Sequence, residues 1–362
     1  MAKVTSIPFV PQHPVLPEPV HLNLILEDEV VVGATPQIGF VHRGLEKLVE
    51  KRDYQQFMYV AERICGICSF GHSFGYAQTV EGLLEVEVPQ RAQYLRVIWH
   101  ELSRVHSHLL WLGLLADGFG FEALFMHCWR LRETVLDIFE KTTGGRVIFS
   151  ACTVGGVLHD IEDSELKGIV ETLRGLGDEY QEISRSFLND RSVNNRLVGI
   201  GVLSRQEAYD LSAVGPFARA SGVAYDIRSL GYGAYAELSA FAPITSDQGD
   251  SYARCKVRVE EVHQSIDIIA ELAAKIPAGE IAVPVKGRPV EGAETISRLE
   301  QPRGEAFYYV KSNGTKNLAR FRVRTPTSIN IPGMITALVG CQLADVPMIV
   351  LTIDPCISCT ER

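Results

Sequence analysis

Two C-x-x-C pairs, Cys65-Gly66-Ile67-Cys68 and Cys356-Ile357-Ser358-Cys359, stand 288 residues apart in a chain of 362. A spacing of three sets both sulfurs of a pair on one side of a helical turn, about 5–6 Å apart at Cβ, so each pair can chelate one metal. A fold in which the pairs act together must bring segments near both chain ends to one place. Structural zinc sites hold their pairs close in sequence and staple small domains. This chain, 46% hydrophobic, buries a core without such help. Four gathered thiolates suggest a metal placed for chemistry, and soft sulfur suits nickel, iron, zinc or copper(I) over magnesium or calcium. Structural zinc and redox dithiols remain open readings, the latter weakened because neither pair opens a helix after a βαβ strand.

Lys and Arg number 35 against 44 Asp and Glu, a net charge of −9, and no long basic run offers a footprint for nucleic acid. Eight cysteines, and a Pro-rich stretch after Met1-Ala2-Lys3-Val4 where a leader would be apolar, predict a reducing, cytoplasmic compartment. The most apolar windows, 109–116 and 347–353, are far shorter than the roughly 20 residues of a spanning helix. Work at a membrane then requires partners to hold the chain there.

Residues 1–40 contain an alternating pattern, with Leu22, Leu24 and Leu26 on one face and Glu27-Asp28-Glu29 at a turn, which predicts a β-hairpin over 20–38. From 44 to 278 the period becomes helical, in 46–62, 88–114, 121–142, 162–188 and 252–276. It is clearest where Leu95, Ile98, Leu102, Val105, Leu109 and Leu112 recur at intervals of three and four. Residues 219–250 read as an ordered irregular excursion, 279–330 as a small β region, and 331–362 as a C-terminal segment carrying a buried strand at 348–353 and the second Cys pair. The expectation is a single domain over 1–362: α+β, mainly α, a central long-helix bundle with small peripheral β-sheets, its two ends close together.

Arg63-x-Cys65-Gly66-x-Cys68 followed by His72, with a terminal Asp354-Pro355-Cys356-x-x-Cys359-x-x-Arg362, resembles the catalytic large subunit of [NiFe]-hydrogenases over essentially the whole chain. Glu18-Pro19, His42-Arg43-Gly44-Leu45-Glu46, the 101–110 segment, 219–228 and Pro302-Arg303-Gly304-Glu305 resemble its membrane-bound, energy-converting (Ech) group. They also resemble the quinone-site subunit of respiratory complex I, which lacks the four cysteines. The resemblance implies that Cys65 and Cys356 are terminal ligands of nickel. Cys68 and Cys359 would bridge nickel to an iron bearing carbonyl and cyanide. It places Arg303 as a fixed cation at the open side of the nickel, Pro326 and Thr327 beside cyanide, and His72 as donor to a bridging sulfur. Glu18, between Pro17 and Pro19, would stand near the first proton transfer beside Cys356. The bland alternatives are a surface ion pair of Arg303 with Glu305, a core role for His72 and an exposed Glu18.

The implied activity is reversible heterolytic cleavage or formation of H₂, with protons leaving through a thiolate and Glu18. His100, His106 and His108 do not share a helix face and read as structural, with Glu101 and His108 a weak relay candidate. Cys128, Cys152, Cys255 and Cys341 are scattered, so no iron–sulfur cluster is expected in this chain and they read as buried thiols. Electrons would pass through an iron–sulfur small subunit to or from ferredoxin, with further ferredoxin-like and integral membrane subunits coupling the reaction to ion translocation at the cytoplasmic face. The contrasting expectation is a non-catalytic, complex I-like coupling or scaffold subunit with zinc or nothing at the cysteines. Where many relatives carry a metal-binding His, this chain has Arg362, expected to pair with Glu46 in the metal's place. The chain stops three residues after Cys359, the expected end of a mature form or of a gene without an extension.

Overall fold

The computed structural model describes residues 4–9, 13, 16 and 18–362. Pro17 and Met1-Ala2-Lys3, with the expectations placed on them, lie outside the described residues. The chain enters through an antiparallel sheet of β1 (Val4–Phe9), β2 (His21–Glu27) and β3 (Val30–Gln37). The expected hairpin is β2–β3, and Leu22, Leu24 and Leu26 are buried as the alternation requires. β1 is an added strand that Pro-rich surroundings conceal.

A 3₁₀ turn at Leu45–Lys51 precedes α1 (Phe57–Glu62) and α2 (Ser69–Leu84). The helical pattern over 46–62 is therefore broken in two. The Asp53 carboxylate accepts the N–H groups of Gln55 and Gln56 at 3.0 and 2.8 Å, which restarts the chain as a new turn. α2 itself has no counterpart in the periodicity, because its Gly, Ser and aromatic residues are buried on all sides.

α3 (Gln90–Gly118) realises the clearest apolar period, and α4 (Glu122–Thr143) returns against it. After a small hairpin, β4 (Cys152–Thr153) and β5 (Gly156–Val157), the chain forms α5 (Asp163–Asn189), α6 (Arg191–Leu197), α7 (Arg205–Asp210) and α8 (Gly215–Arg219). The 219–250 excursion contains only 3₁₀ turns, at Ile227–Leu230 and Gly233–Glu237, before α9 (Ser251–Lys275). α3 packs against both α4 and α9, and α5 covers α9, so α3 is the axis of the bundle. β6 (Glu294–Gln301), β7 (Gly304–Lys311) and β8 (Arg320–Arg324) then form a meander against α2. The chain closes with α10 (Pro326–Leu338), α11 (Val346–Ile353) and α12 (Ile357–Thr360). The architecture is mainly helical with small peripheral antiparallel sheets, and no described helix is long and apolar enough to cross a membrane.

The 348–353 strand is a misreading, since those residues lie in α11. A short continuous apolar run carries no period that separates a buried strand from a buried helix. Pro347 in the first turn, with its φ already helical, and contacts to α3, α9 and α10 decide for helix. The Trp111 indole of α3 donates to the Leu351 carbonyl at 2.8 Å, with the Arg258 guanidinium 4.4 Å over its ring, which seats α11 on the bundle.

Two glycines set close approaches that matter for the sulfur pocket. A Cβ at Gly75 of α2 would stand 2.2 Å from the Tyr308 ring of β7, so only glycine lets helix and sheet meet. Gly215 has φ +68, and a Cβ there would stand 2.3 Å from the Arg303 carbonyl in the β6–β7 turn. Gly215→Ala combines a left-handed penalty of about 1–2 kcal/mol with that overlap. We expect it to lower stability by at least about 2 kcal/mol, measured as a shift of the urea midpoint at unchanged m-value.

Candidate metal centre

The first Cys pair lies in the turn between α1 and α2, with Cys68 at the N-cap of α2. The second follows α11, whose C-terminus is turned by Asp354 at φ 59 ahead of Pro355, with Cys356 at the N-cap of α12. In each pair the first sulfur accepts backbone N–H groups: Cys65 from Ile67 and Cys68 at 3.3 and 3.5 Å, and Cys356 from Cys359 at 3.4 Å. Partial positive charge thus faces both sulfurs before any metal does.

The two pairs converge. Cys65 and Cys356 Sγ are 3.5 Å apart, Cys68 and Cys359 3.4 Å, and all four residues are no more than 2% exposed. The sulfurs of Cys65, Cys68 and Cys359 all lie within 4.8 Å of one another. Tetrahedral ligands at about 2.3 Å from a metal would be roughly 3.8 Å apart, so the donor set fits thiolate coordination. Protonation reads the same way. Hydrogen bonds from Cys356, Cys359 and Cys68 hold the Cys65 thiol well below its ordinary range. The other sulfurs sit well above theirs; Cys359, for one, is raised by Cys356, Cys65 and Cys68 and by burial. One thiolate is stable there alone; more need a cation.

Around the sulfurs stand most of the residues singled out in the sequence. His72 places Nε2 3.3 Å from Cys359 Sγ while its Nδ1 meets the Tyr308 hydroxyl at 3.0 Å. Burial pushes this imidazole down to about 4, so it is neutral and its one N–H is free to point at sulfur. The Arg303 guanidinium does not pair with Glu305. It donates to Asp354 Oδ1 at 2.7 Å, to the Asp354 carbonyl at 2.9 Å and to Ser107 Oγ at 3.4 Å. Burial opposes its charge, but Asp354 and the sulfurs outweigh that and keep it firmly protonated. Glu18 is partly buried. Its carboxylate accepts the Ile357 N–H and, at 3.0 Å, the Ser358 hydroxyl, with Cys356 Sγ at 3.9 Å. Thr327 Oγ1 accepts the Cys356 N–H at 3.0 Å, and Pro326 starts α10 beside it.

Other residues fall outside the sulfur pocket. His106 meets Arg132 at 2.6 Å, His100 meets Tyr235 at 3.3 Å and His108 meets Glu261 at 2.8 Å. Among the described residues no direct hydrogen bond joins Glu101 to His108; the two are linked through Arg228, Asp226, Arg219 and Glu261. Cys128, Cys152 and Cys255 are buried singly and pushed up to about 12 by burial, whereas Cys341 is half-buried, not buried.

Arg43 is the residue that sequence reasoning missed. Its guanidinium donates to the carbonyls of Arg63, Ile64 and Ser358 at 2.9, 2.7 and 3.1 Å, tying both Cys segments together. Its place in the quoted His42-Arg43-Gly44 segment was the only available signal. Nearby, Arg362 Nε donates to Glu46 Oε1 at 3.0 Å, as expected, but the pair is half-buried at 21% and 12% exposure. Arg322 also binds Glu46, and the Val323 N–H donates to it at 3.0 Å. Burial raises the Glu46 carboxyl, but these donors outweigh it and hold it below the usual range.

The family model described as the 49 kDa subunit of respiratory-chain NADH dehydrogenase matches residues 118–292 and 282–362. That of nickel-dependent hydrogenases matches residues 43–116, the stretch with the first Cys pair. The chain is 37% identical to the membrane-bound hydrogenase subunit alpha of Pyrococcus furiosus, over 99% of this chain and 87% of that protein. It is 38% identical to the carbon monoxide-induced hydrogenase of Rhodospirillum rubrum, over 99% of each. The fold matches a chain in the structure of the membrane-bound sulfane sulfur reductase, an archaeal respiratory membrane complex. There the TM-score is 0.93 and the identity 31%, over 99% of this chain and 98% of that one. The chain therefore belongs to the oxidoreductase family that unites the large subunits of membrane-bound, nickel-dependent hydrogenases with the 49 kDa subunit of respiratory-chain NADH dehydrogenase.

Proposed function

We propose that this chain is the hydrogen-activating subunit of an energy-converting membrane complex, catalysing reversible heterolytic cleavage or formation of H₂. The observation that carries the reading is the convergence of four buried sulfurs within the field of Arg303 and beside Glu18. Cys65, Cys68, Cys356 and Cys359 would hold a nickel–iron group whose iron bears carbonyl and cyanide. When bound, that group supplies redox-active Lewis acidity able to polarise H₂. The protein's residues supply the rest. Burial excludes water from the sulfurs. Arg303, oriented by Asp354, fixes a positive charge near them and would offer N–H donors to cyanide. Thr327 secures the Cys356 backbone at the same edge. Glu18 holds a proton delivered from Cys356 Sγ and faces the Ser358 hydroxyl on its other side. Electrons would leave to an iron–sulfur small subunit and ferredoxin, and membrane subunits would couple the reaction to ion translocation at the cytoplasmic face.

A second reading, a non-catalytic coupling subunit with zinc or no metal at the cysteines, draws on the match of the 49 kDa subunit model to the larger part of the chain. Metal analysis of the purified complex separates the two. One nickel and one iron per chain, with carbonyl and cyanide stretches in the infrared, supports the hydrogenase; zinc alone, or an empty pocket, refutes it.

Glu18→Gln preserves shape and removes the ionisable group. It should keep the metal content while slowing D₂–water isotope exchange about 10²-fold or more. Unchanged exchange in a fully metallated variant removes Glu18 from the proton route.

Arg362 stands where a cation would neutralise Glu46, and we infer that it takes a structural metal's place. Arg362→Ala should cost about 1–3 kcal/mol, since it removes a charge-assisted hydrogen bond in a half-buried place. It should also speed proteolysis of the segment bearing Cys356 and Cys359. Because the Glu46 carboxyl is lowered on folding, its stabilisation is present above its unfolded value near 4.5 and fades as pH falls through the folded value. A bound divalent ion at Glu46 in the native complex would refute the replacement.

A further inference from the structure

A second buried cluster adjoins the Arg303 turn and has no part in the chemistry above. Glu101 of α3, Asp226, Glu261 of α9 and Glu300 of β6 interlock with Arg104 of α3, Arg219 of α8 and Arg228. Each of these side chains is at most 1% exposed. With all seven ionised, the cluster has four negative charges against three positive. An uncompensated charge in a dry interior is not tolerated; a group takes up a proton instead.

Donor counts decide which group. Glu101 accepts from Arg104, Arg228, Tyr235 and Ser265. Asp226 accepts from three N–H groups of Arg228, its backbone N–H included, and pairs with Arg219 at 3.2 Å. Glu261 accepts two N–H groups of Arg219 at 3.0 and 2.7 Å and His108 at 2.8 Å. Among the described residues, Glu300 has only Arg219 at 2.7 Å and the Ile227 N–H at 3.2 Å. His108 is a poor alternative. Its Nδ1 has no partner, so an imidazolium would strand a charged N–H, and burial pushes it down to about 4.

The remaining groups around Glu300 do not alter the count. The Tyr232 hydroxyl accepts the Glu300 N–H at 3.1 Å. Glu305, opposite Glu300 on β7, faces Arg298, Arg324 and the Tyr225 hydroxyl. Arg258 of α9 donates to the carbonyls of Arg254, Thr352 and Ile353, and its counter-charges are Asp354 first and Glu261 second; Asp354 is shared with Arg303, whose further counter-charges are the sulfurs.

We propose that Glu300 is a buried proton-binding residue that carries the one proton neutralising this cluster at neutral pH, and that its ionisation is felt at the turn bearing Arg303. Burial and the neighbouring Asp226 push its carboxyl up to about 7. The guanidiniums hold Glu101, Asp226 and Glu261 low in spite of burial. The step is a proton exchange alone: carboxylate plus proton gives carboxylic acid, and no electron moves. The link to the turn is covalent and short. Arg104 binds the carbonyls of Glu300 and Gln301 at 2.6 and 3.2 Å, and Arg303 follows two residues later. The Gln301 amide donates to the Tyr308 hydroxyl, so the same strand end also abuts the partner of His72.

Infrared difference spectra of the assembled complex, taken about one pH unit to either side of 7, test the protonation. Wild type should lose a protonated-carboxyl stretch as pH rises, and Glu300→Gln, which mimics the neutral form, should lack that band at every pH. Glu300→Asp keeps the charge with a shorter reach and should shift the midpoint without abolishing the band. Hydrogen exchange of the Gln301, Arg303, Gly304 and Glu305 amides, corrected for its intrinsic pH dependence, should vary with pH in wild type and stay flat in Glu300→Gln. A band that survives in Glu300→Gln, or an imidazolium signal from His108 at neutral pH, overturns the assignment. Exchange that is flat in wild type overturns the coupling to the turn.

Discussion

Closure of the chain onto itself at the sulfurs is the constraint on which the other features rest. Each Cys pair follows a helix, α1 on one side and α11 on the other. Loop closure over so long a span costs little more than over a short one, because the entropy grows only with the logarithm of length. What must be supplied is direction. Arg43 supplies it by gripping carbonyls of both segments, and Glu18, Thr325 and Thr327 add hydrogen bonds to the second. The sulfur separations are thus set by protein contacts, and a metal bound there would meet a pocket already shaped.

The same closure explains why α3 can bury charge. A helix so enclosed cannot reserve a solvated face, so Arg96, Glu101, Arg104 and His108 must find partners inside. They find them on other elements: Glu81, Arg228, Glu300 and Glu261. Low dielectric makes each contact strong and each vacancy costly, which ties the bundle to the β6–β7 turn more tightly than apolar packing would.

Legibility in the sequence followed the range of the forces. The period of Leu95, Ile98 and Leu102 and the alternation of Leu22, Leu24 and Leu26 are local, and they gave α3 and the β2–β3 hairpin correctly. α2 stayed hidden because its burial depends on Gly75 admitting Tyr308 from a strand more than two hundred residues on. The 348–353 run was mistaken for a strand because continuous burial erases period. Of the site, the cysteines, His72, Glu18 and Arg303 were visible as motif members, whereas Asp354 as the anchor of Arg303 and Arg43 as the clasp were not. Those roles exist only once both ends of the chain are in register.

Trp111 has a consequence of an optical kind. Its indole is 1% exposed, hydrogen-bonded to α11 and covered by the Arg258 cation. Of the three tryptophans in the chain, Trp99 bonds to Thr142 of α4, and Trp129 lies on α4 itself. Among the described residues, Trp111 is the tryptophan whose indole hydrogen-bonds to the helix that leads into the second Cys pair. Its emission is therefore an intrinsic gauge of whether that helix is seated. Undocking α11 would strip away the nearby cation and admit water to the ring, so maturation of the sulfur pocket could be followed by the colour of one residue.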